Sequence, residues 1–299
     1  MKPKVVVIVG PTASGKTSLA IKLAKQFTGE VISADSRQVY KSINLCSGKV
    51  TPEEMSGIPH HLLDVADPMT VYTVSDFKRD ATQTITDIIS RHRLPIIAGG
   101  TFLYTDTLLG RISIPQVKPD TVLRTRLETM NTEALVETLA QLDPARAAMI
   151  DKANPRRLVR AIEVAITLGS VPLSQTTEPY EALMLGIEIN QETLHHNIHL
   201  RIEERLKAGM VAEVKTLLDS GVTPQRLESL GLECRYLSRF LRGSMSYEEA
   251  LVELEVKTKQ FAKRQKTWLK RDQSIHWVTK DDQLTITGLV SKFLLTQND

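Results

Sequence analysis

The chain has 299 residues, of which 41% are hydrophobic and 24% charged, and its formal net charge is +3. This composition is that of an ordinary globular protein, and it excludes a disordered or polycationic chain. No apolar stretch approaches the roughly 20 residues that cross a bilayer, and the first residues lead into a short strand, so neither a membrane anchor nor a signal peptide is expected. Two cysteines, Cys46 and Cys234, are too few for a disulfide framework or a zinc site, which favours a reducing cytoplasm.

The first predicted strand, residues 5–9, is an apolar run that ends at a glycine-rich segment. Residues 18–24 then have the spacing of a helix, so the segment lies between a strand and a helix. It matches G-x-x-x-x-G-K-[ST] at every fixed position, which is the phosphate-binding P-loop pattern. The residues predicted to bind a diphosphate are therefore Gly10, Pro11, Thr12, Ala13, Ser14, Gly15, Lys16 and Thr17.

The residue types in this loop explain how it would hold phosphates. Gly10 and Gly15 let the backbone curl until successive amides point inward, and the helix N-terminus behind them adds about half a positive charge. Lys16 supplies a mobile charge for the outer phosphate, and the Thr17 hydroxyl is placed to coordinate Mg²⁺ already held by phosphate oxygens. The loop therefore predicts Mg²⁺-assisted binding of two adjacent phosphates.

Two further predicted strands, residues 30–33 and 94–98, end shortly before Asp35 and Thr101. The stretch between them, residues 73–91, has helical spacing. Strands that alternate with helices form a parallel sheet with ligands at the strand C-termini. We therefore predict an α/β fold with a P-loop NTPase-like, doubly wound parallel sheet, in which Asp35 and Thr101 lie near the loop.

The middle of the chain changes character after residue 115. Residues 116–180 are rich in Leu, Ala, Arg and Glu, which is typical of several helices, and residues 182–189 return to strand character. We predict a first core segment over residues 1–115, a helical insertion domain over residues 116–180, and a return to the core with basic C-terminal helices over residues 181–299.

The most basic part of the chain is residues 257–271, which carry seven Lys or Arg and no acid. Larger residues recur there at steps of three or four, which predicts a helix with one packed stripe and one basic face. A phosphate backbone suits such a face, and a solvated cationic helix without a partner is the alternative. The predicted stripe consists of Leu251, Leu254, Thr258, Phe261, Gln265 and Trp268.

Chemistry alone makes Asp35 the candidate general base of a Mg²⁺-dependent enzyme acting on a diphosphate. The third strand ends in Gly-Gly-Thr, where many P-loop NTPases carry an Asp that orients Mg²⁺ and water, so hydrolysis-driven switching is disfavoured. A small-molecule kinase that uses Asp35 to deprotonate a hydroxyl stays open, as does a non-catalytic RNA-binding protein.

Six segments, in their order and spacing, resemble the bacterial tRNA dimethylallyltransferases: residues 10–17, 35–36, 59–64, 72–77, 99–104 and 262–269. The resemblance runs from about residue 4 to residue 277. It implies transfer of a dimethylallyl group from dimethylallyl diphosphate to the exocyclic N6 amine of the adenosine 3′ of the tRNA anticodon, with release of pyrophosphate. The implied cofactor is Mg²⁺, the implied partners are dimethylallyl diphosphate and the tRNA anticodon stem-loop, and a cytoplasmic monomer is expected.

The resemblance also implies roles for individual residues. Asp35 would accept a hydrogen from the adenine amine, and Thr101 would hydrogen-bond nearby. Lys16, Thr17 with Mg²⁺, and Arg201 would neutralise the departing pyrophosphate, and the helical insertion would clamp the anticodon stem. The implied RNA contacts are Asp35, Ser36, Arg37, Gln38, Thr101, Arg124, Arg156, Arg157, Leu158, Val159, Arg160, Lys263, Arg264, Gln265 and Trp268.

Two positions depart from the family pattern. Residues 230–235 read Leu-Gly-Leu-Glu-Cys-Arg where the family usually has a Gly-Tyr pair, and Gln191 stands where an Arg is common. A related class that prenylates free AMP, ADP or ATP is the nearest alternative, because it shares the loop and the Asp. Three histidines with an i, i+1, i+4 pattern are interpreted as helix-surface residues and not as a metal site: His195, His196 and His199.

Overall fold

The computed structural model describes residues 2–172 and 176–296. Its described residues form one parallel sheet in the order β3-β2-β4-β1-β5-β6, which confirms the predicted doubly wound α/β fold. The strands are β1 (Lys4–Val9), β2 (Gly29–Ser33), β3 (His60–His61), β4 (Leu94–Gly99), β5 (Glu181–Ile187) and β6 (Ile275–Val278).

The described residues contain fourteen helices. They are α1 (Lys16–Gln26), α2 (Pro52–Met55), α3 (Val74–Ser90), α4 (Phe102–Leu108), α5 (Thr121–Glu128), α6 (Thr132–Leu142), α7 (Pro144–Met149), α8 (Pro155–Leu168), α9 (Gln191–Lys207), α10 (Met210–Asp219), α11 (Pro224–Leu230), α12 (Leu232–Leu241), α13 (Tyr247–Leu269) and α14 (Gln283–Leu295). Each of these helices is too short or too polar to cross a bilayer.

Strand β1 is apolar along its whole length because both of its faces are buried. Val7 packs in a cluster with Phe77 of α3, whereas Ile8 packs in the cluster on the other face with Leu19 of α1. Alternating residues of one strand thus enter two different cores, which is why a central parallel strand is a continuous apolar run. The burial fixes β1, and with it the start of the glycine-rich loop, in the middle of the sheet.

The ends of β2 and β4 touch through their backbones. A Cβ added at Gly99, the last residue of β4, would lie 2.1 Å from the carbonyl oxygen of Ala34. No side-chain adjustment relieves such a contact, because the neighbour is main chain. Gly99 therefore permits the two strand ends, and the loops that leave them, to lie side by side.

The chain divides into two compact units, Met1–Leu109 with Glu178–Asp299, and Gly110–Thr177. The second unit contains helices α5 to α8 around a core that includes Leu135, Leu139 and Ile162. The predicted insertion, residues 116–180, starts and ends a few residues later than this unit.

A buried carboxylate organises the second unit. Glu163 accepts hydrogen bonds from Arg124 at 2.7 Å, from Arg160 at 2.5 Å and from the Asp120 amide at 2.7 Å. Burial raises the pKa of Glu163, but these hydrogen bonds outweigh burial and lower the pKa to about 2. Arg124 and Arg160 are therefore parts of the internal ion-pair network of this unit.

Helix α13 packs through a slightly different stripe from the predicted one. Phe261 and Trp268 are exposed, whereas Ala262 and Leu269 are buried. The prediction was wrong at these two turns because it chose the aromatic residue, whereas the buried face is one position further along the helix. Leu254, Thr258 and Gln265 are buried as predicted.

Candidate active site

The glycine-rich loop between β1 and α1 forms a tight cradle. Gly15 has a φ of 93° and caps the N-terminus of α1. A Cβ at Gly10 would lie 2.8 Å from the Ser14 hydroxyl oxygen, so a side chain there would displace this hydroxyl. The Ser14 hydroxyl is buried and has no hydrogen-bond partner in the described chain. The two glycines thus allow the curl that turns loop amides toward a bound anion.

Lys16 lies inside this cradle. Its Nζ donates a hydrogen bond to the carbonyl oxygen of Pro11 at 2.8 Å. Burial, together with the positive charge of Arg201, lowers the pKa of Lys16 to about 8, against the opposing effect of Asp35. Binding of an anion would favour the charged amine again, so Lys16 is suited to receive a phosphate.

Asp35 faces the same cleft from the loop that follows β2. Its Oδ1 accepts the Arg37 amide at 2.8 Å, which fixes the orientation of the carboxylate. The hydroxyl of Thr101 accepts the Ser36 amide at 3.0 Å. Thr101 therefore holds the loop that carries Asp35, and the structure brings both residues to the strand ends beside the cradle.

Helix α9 supplies positive charge and support from the other side of the cradle. Arg201 donates to the Thr12 hydroxyl at 2.5 Å, and the Asn197 amide donates to the Ala13 carbonyl oxygen at 3.2 Å. Burial and the neighbouring Arg205 lower the pKa of Arg201 to about 10. Its Nε is buried and has no hydrogen-bond partner among the described residues, so the guanidinium keeps unused donor capacity.

These groups line one cleft of about 700 Å³. Its walls combine the glycine-rich loop, the segment after β2, the loop around Gly48 and the inner face of α9. The charged residues that line it are Lys16, Lys22, Asp35, Glu54, Arg201, Glu204, Arg205 and Lys280. A cleft with a cationic cradle and the Asp35 carboxylate in its wall can bind a diphosphate and remove a proton.

The cleft fits a metal ion only as a companion of bound phosphate. Thr17 lines it with an exposed hydroxyl next to Lys16. No cluster of three or more His, Cys, Asp or Glu that could hold a metal occurs in residues 2–172 and 176–296. A single hydroxyl suits Mg²⁺ that takes its other ligands from diphosphate oxygens and water.

Gln265 has a role that the sequence analysis did not find. Its Oε1 accepts the Thr12 amide at 2.8 Å and its Nε2 donates to the Gly100 carbonyl oxygen at 2.9 Å. The side chain is 4% exposed. Gln265 therefore joins the cradle to the end of β4.

We expect replacement of Gln265 by methionine to weaken both the fold and the site. The change leaves the Thr12 amide and the Gly100 carbonyl without partners, which costs about 2 kcal/mol in the free energy of unfolding and loosens the cradle. Urea unfolding and calorimetric titration with pyrophosphate measure the two effects. Gln260→Met, at an exposed position of the same helix, is the control and should change neither.

The other predicted RNA-contacting residues differ in accessibility. Leu158 and Val159 are 0% and 6% exposed, and their side chains pack in the core of the helical unit. A family motif transferred as a contiguous segment includes the buried face of a helix. The exposed members are Arg156, Arg157, Lys263, Arg264 and Trp268, and the half-buried ones are Ser36, Arg37, Gln38, Arg124 and Arg160.

Several residues of the cleft were not predicted from the sequence, among them Asn197, Arg205 and Lys280. Asn197 and Arg205 lie one turn before and one turn after Arg201 on α9, and Lys280 passes over the cradle at Gly15. The i, i+4, i+8 spacing on α9 was a usable signal, because residues four apart share one helix face. Nothing local indicated Lys280, which comes from the loop after β6.

The departures from the family pattern fall on helix starts. Gln191 is the exposed first residue of α9, and Gly231 precedes α12 with a φ of 147°. Cys234 is buried and reduced, as is Cys46.

Of the three histidines, His199 is exposed and hydrogen-bonds Glu255 at 2.9 Å, and this carboxylate raises the pKa of His199.

We expect pyrophosphate affinity to depend on pH through Lys16. Below pH 8 the amine is already charged in the free protein; above pH 8 it must take up a proton when the anion binds, because its pKa in the free site is about 8. Affinity should therefore fall with rising pH, by up to about tenfold per unit. Calorimetry from pH 7 to pH 10 measures this slope, and Lys16→Met should abolish its Lys16-dependent part.

Fold and site together define a P-loop-like α/β protein with an anion-binding cradle after its first strand and a carboxylate in the same cleft. Residues 38–272 match the model of the IPP transferase family. A tRNA dimethylallyltransferase of Staphylococcus aureus strain JH9 is 41% identical over 294 residues, 94% of each chain. The chain therefore belongs to the IPP transferase family, which confirms the resemblance that its motifs indicate.

Solved structures agree with this assignment. The tRNA isopentenylpyrophosphate transferase of Bacillus halodurans is similar with a TM-score of 0.72 and 34% identity, covering 98% of this chain and 95% of that one. A eukaryotic dimethylallyltransferase acting on tRNA has a TM-score of 0.79 and 27% identity, covering 98% of this chain and 78% of that one.

Proposed function

We propose that this chain transfers a dimethylallyl group from dimethylallyl diphosphate to the N6 amine of the adenosine 3′ of the tRNA anticodon, releasing pyrophosphate. The observation that carries the proposal is the placement of Asp35 in the same cleft as Lys16 and the glycine-rich loop. One cleft thus offers a place for the leaving diphosphate and an acceptor for the amine proton. Family membership and the similar tRNA-modifying relatives support it.

The leaving diphosphate is the main electrostatic task of the site. The bond between the prenyl carbon and the diphosphate oxygen breaks while the bond to the adenine nitrogen forms. Loop amides, Lys16 and Arg201 stabilise the negative charge that develops on the departing oxygen. When bound, Mg²⁺ supplies further charge neutralisation on the diphosphate, and Thr17 is the residue that would hold it.

Proton removal is the task of Asp35. An exocyclic amine is a weak nucleophile, so its attack benefits from positioning and from a carboxylate that takes the proton as the new bond forms. Thr101 acts through the backbone of Ser36, because its hydroxyl holds the loop that orients Asp35.

The RNA surface that we propose includes the exposed side of α13. The Arg264 guanidinium lies 5.9 Å from the ring centre of Phe261, and that of Arg271 lies 5.5 Å from the ring centre of Trp268. Aromatic rings interleaved with arginines can stack on unpaired bases and pair with phosphates. In the helical unit, Arg156 and Arg157 are exposed at the start of α8 and suit phosphate contacts.

Mass spectrometry of an anticodon stem-loop tests the proposal directly. The RNA is incubated with the protein, Mg²⁺ and dimethylallyl diphosphate, with AMP as a competing acceptor in a parallel reaction. We expect one five-carbon unit on the adenosine 3′ of the anticodon. Prenylation of AMP and not of RNA would show that the acceptor is a free nucleotide. Loss of phosphate from ATP, with neither acceptor modified, would favour a kinase. Size-exclusion chromatography with light scattering tests the monomer expectation.

A further inference from the structure

Helix α9 points three polar side chains into the cleft from successive turns. Asn197, Arg201 and Arg205 are spaced four residues apart and all line it. The first binds the Ala13 carbonyl oxygen and the second binds the Thr12 hydroxyl. Arg205 follows one turn later on the same face, so this helix lines the cleft with three hydrogen-bond donors.

The guanidinium of Arg205 packs against the backbone of Gly48. A Cβ at Gly48 would lie 1.8 Å from its Nη2 and 2.6 Å from its Cζ, so the planar group rests directly on the Gly48 backbone. Gly48 has a φ of +60°, and its carbonyl oxygen accepts a hydrogen bond from the side-chain amide (Nε2) of Gln38 at 3.0 Å. Only glycine leaves the space that this arrangement uses.

The charges around Arg205 leave the site positive. Its Nη1 lies 3.6 Å from Oε1 of Glu233, which is an ion pair but longer than a hydrogen bond. The side chain of Arg205 is 14% exposed and that of Glu233 is 15% exposed. Burial and the charge of Arg205 lower the pKa of Arg201 and outweigh Glu233 and Asp35, which both raise it. A multivalent anion between the two arginines would remove this repulsion.

We propose that Arg205 is a second arginine that binds the diphosphate of the prenyl donor, together with Arg201, and that Glu233 is its positioning residue. This inference rests on the donor named under the proposed function. The two arginines come from successive turns of one helix and line the cleft that also contains the glycine-rich loop, so both can donate hydrogen bonds to one diphosphate. Glu233 holds the guanidinium of Arg205 on Gly48 without using up its hydrogen-bond donors.

Calorimetric titration of the full-length protein with inorganic pyrophosphate and Mg²⁺ tests the role of Arg205. We expect Arg205→Met to weaken binding about 10- to 100-fold, as for loss of a charge-assisted hydrogen bond, and Arg205→Lys to recover part of it. Lys207→Met, at an exposed position at the end of the same helix, is the matched control and should bind normally. Thermal melting of each variant identifies any change that comes from misfolding. Unchanged affinity in a folded Arg205→Met protein would overturn the inference.

A double-mutant cycle tests the role of Glu233. Glu233→Gln should weaken pyrophosphate binding several-fold in the wild-type background and should have no further effect once Arg205 is methionine, because the residues then act as one unit. An equal loss in both backgrounds would mean that Glu233 acts on the fold and not through Arg205.

The outcomes separate this inference from the proposed function. Pyrophosphate binding is measured without RNA, so it does not depend on which acceptor the protein uses. If Arg205→Met binds pyrophosphate more weakly but the wild-type protein adds no prenyl group to RNA, the proposed function is wrong and the contact of Arg205 with the diphosphate is supported. If the wild-type protein prenylates RNA but Arg205→Met binds pyrophosphate as tightly as the wild type, the proposed function stands and the inference about Arg205 is overturned. Weaker stem-loop binding with unchanged pyrophosphate binding would reassign Arg205 to the RNA and overturn the inference.

Discussion

Replacing Asp35 by asparagine is expected to lower the rate of prenyl transfer by roughly 10²- to 10⁴-fold, the usual contribution of a general base. The amide oxygen of asparagine can still accept the Arg37 hydrogen bond that orients the side chain. The loop therefore keeps its conformation, while the group that takes the proton is gone. Pyrophosphate affinity should change little, because the carboxylate is not part of the cradle.

Single-turnover prenylation of the anticodon stem-loop measures the rate, and calorimetry with pyrophosphate measures the affinity. Glu248→Gln removes an exposed carboxylate on α13 and serves as the control. A variant that loses affinity and keeps its rate at saturating donor would show that Asp35 helps to bind the donor and is not the base.

Replacing Lys16 by methionine is expected to weaken pyrophosphate binding about 100-fold, or roughly 3 kcal/mol, because a buried charge-assisted hydrogen bond to phosphate is lost. Methionine has a similar length and no charge, so it tests the ammonium group and leaves the packing. The rate should fall as well, because the same charge stabilises the departing diphosphate.

Calorimetry and single-turnover kinetics again give the two quantities, and Lys25→Met, at an exposed position of α1, is the matched control. If both variants bind pyrophosphate as tightly as the wild type, the anion does not occupy the cradle at Lys16.

The sheet and the cradle could be predicted because their signals are local. β1 is a continuous apolar run since it is buried on both faces, and the glycines of the loop follow it directly. The carboxyl ends of parallel strands meet at one edge of a sheet, so residues after β2 and β4 had to lie near the loop. Asp35 and Thr101 were found in this way.

The contacts that hold the cradle could not be predicted, because they join distant parts of the chain. Gln265 bonds a loop 253 residues earlier in the sequence, and Arg201 bonds one 189 residues earlier. The spacing of α13 predicted that Gln265 is packed, and the folded helix turns it inward and leaves Arg264 exposed, but the spacing gave no indication of the atoms that Gln265 bonds. The packing of α13 against the rest of the chain decides which of two adjacent side chains turns inward and which faces solvent.

The backbone contact between Gly99 and Ala34 bears on how accurately the proton acceptor is placed. Side chains hop between rotamers, but two strand ends in main-chain contact share one rigid position. Asp35 leaves β2 immediately after that contact, and Gly100, whose carbonyl oxygen binds Gln265, leaves β4 beside it. The main-chain position from which the Asp35 carboxylate reaches the cleft is consequently a property of the scaffold itself, settled when the protein folds and before any substrate arrives.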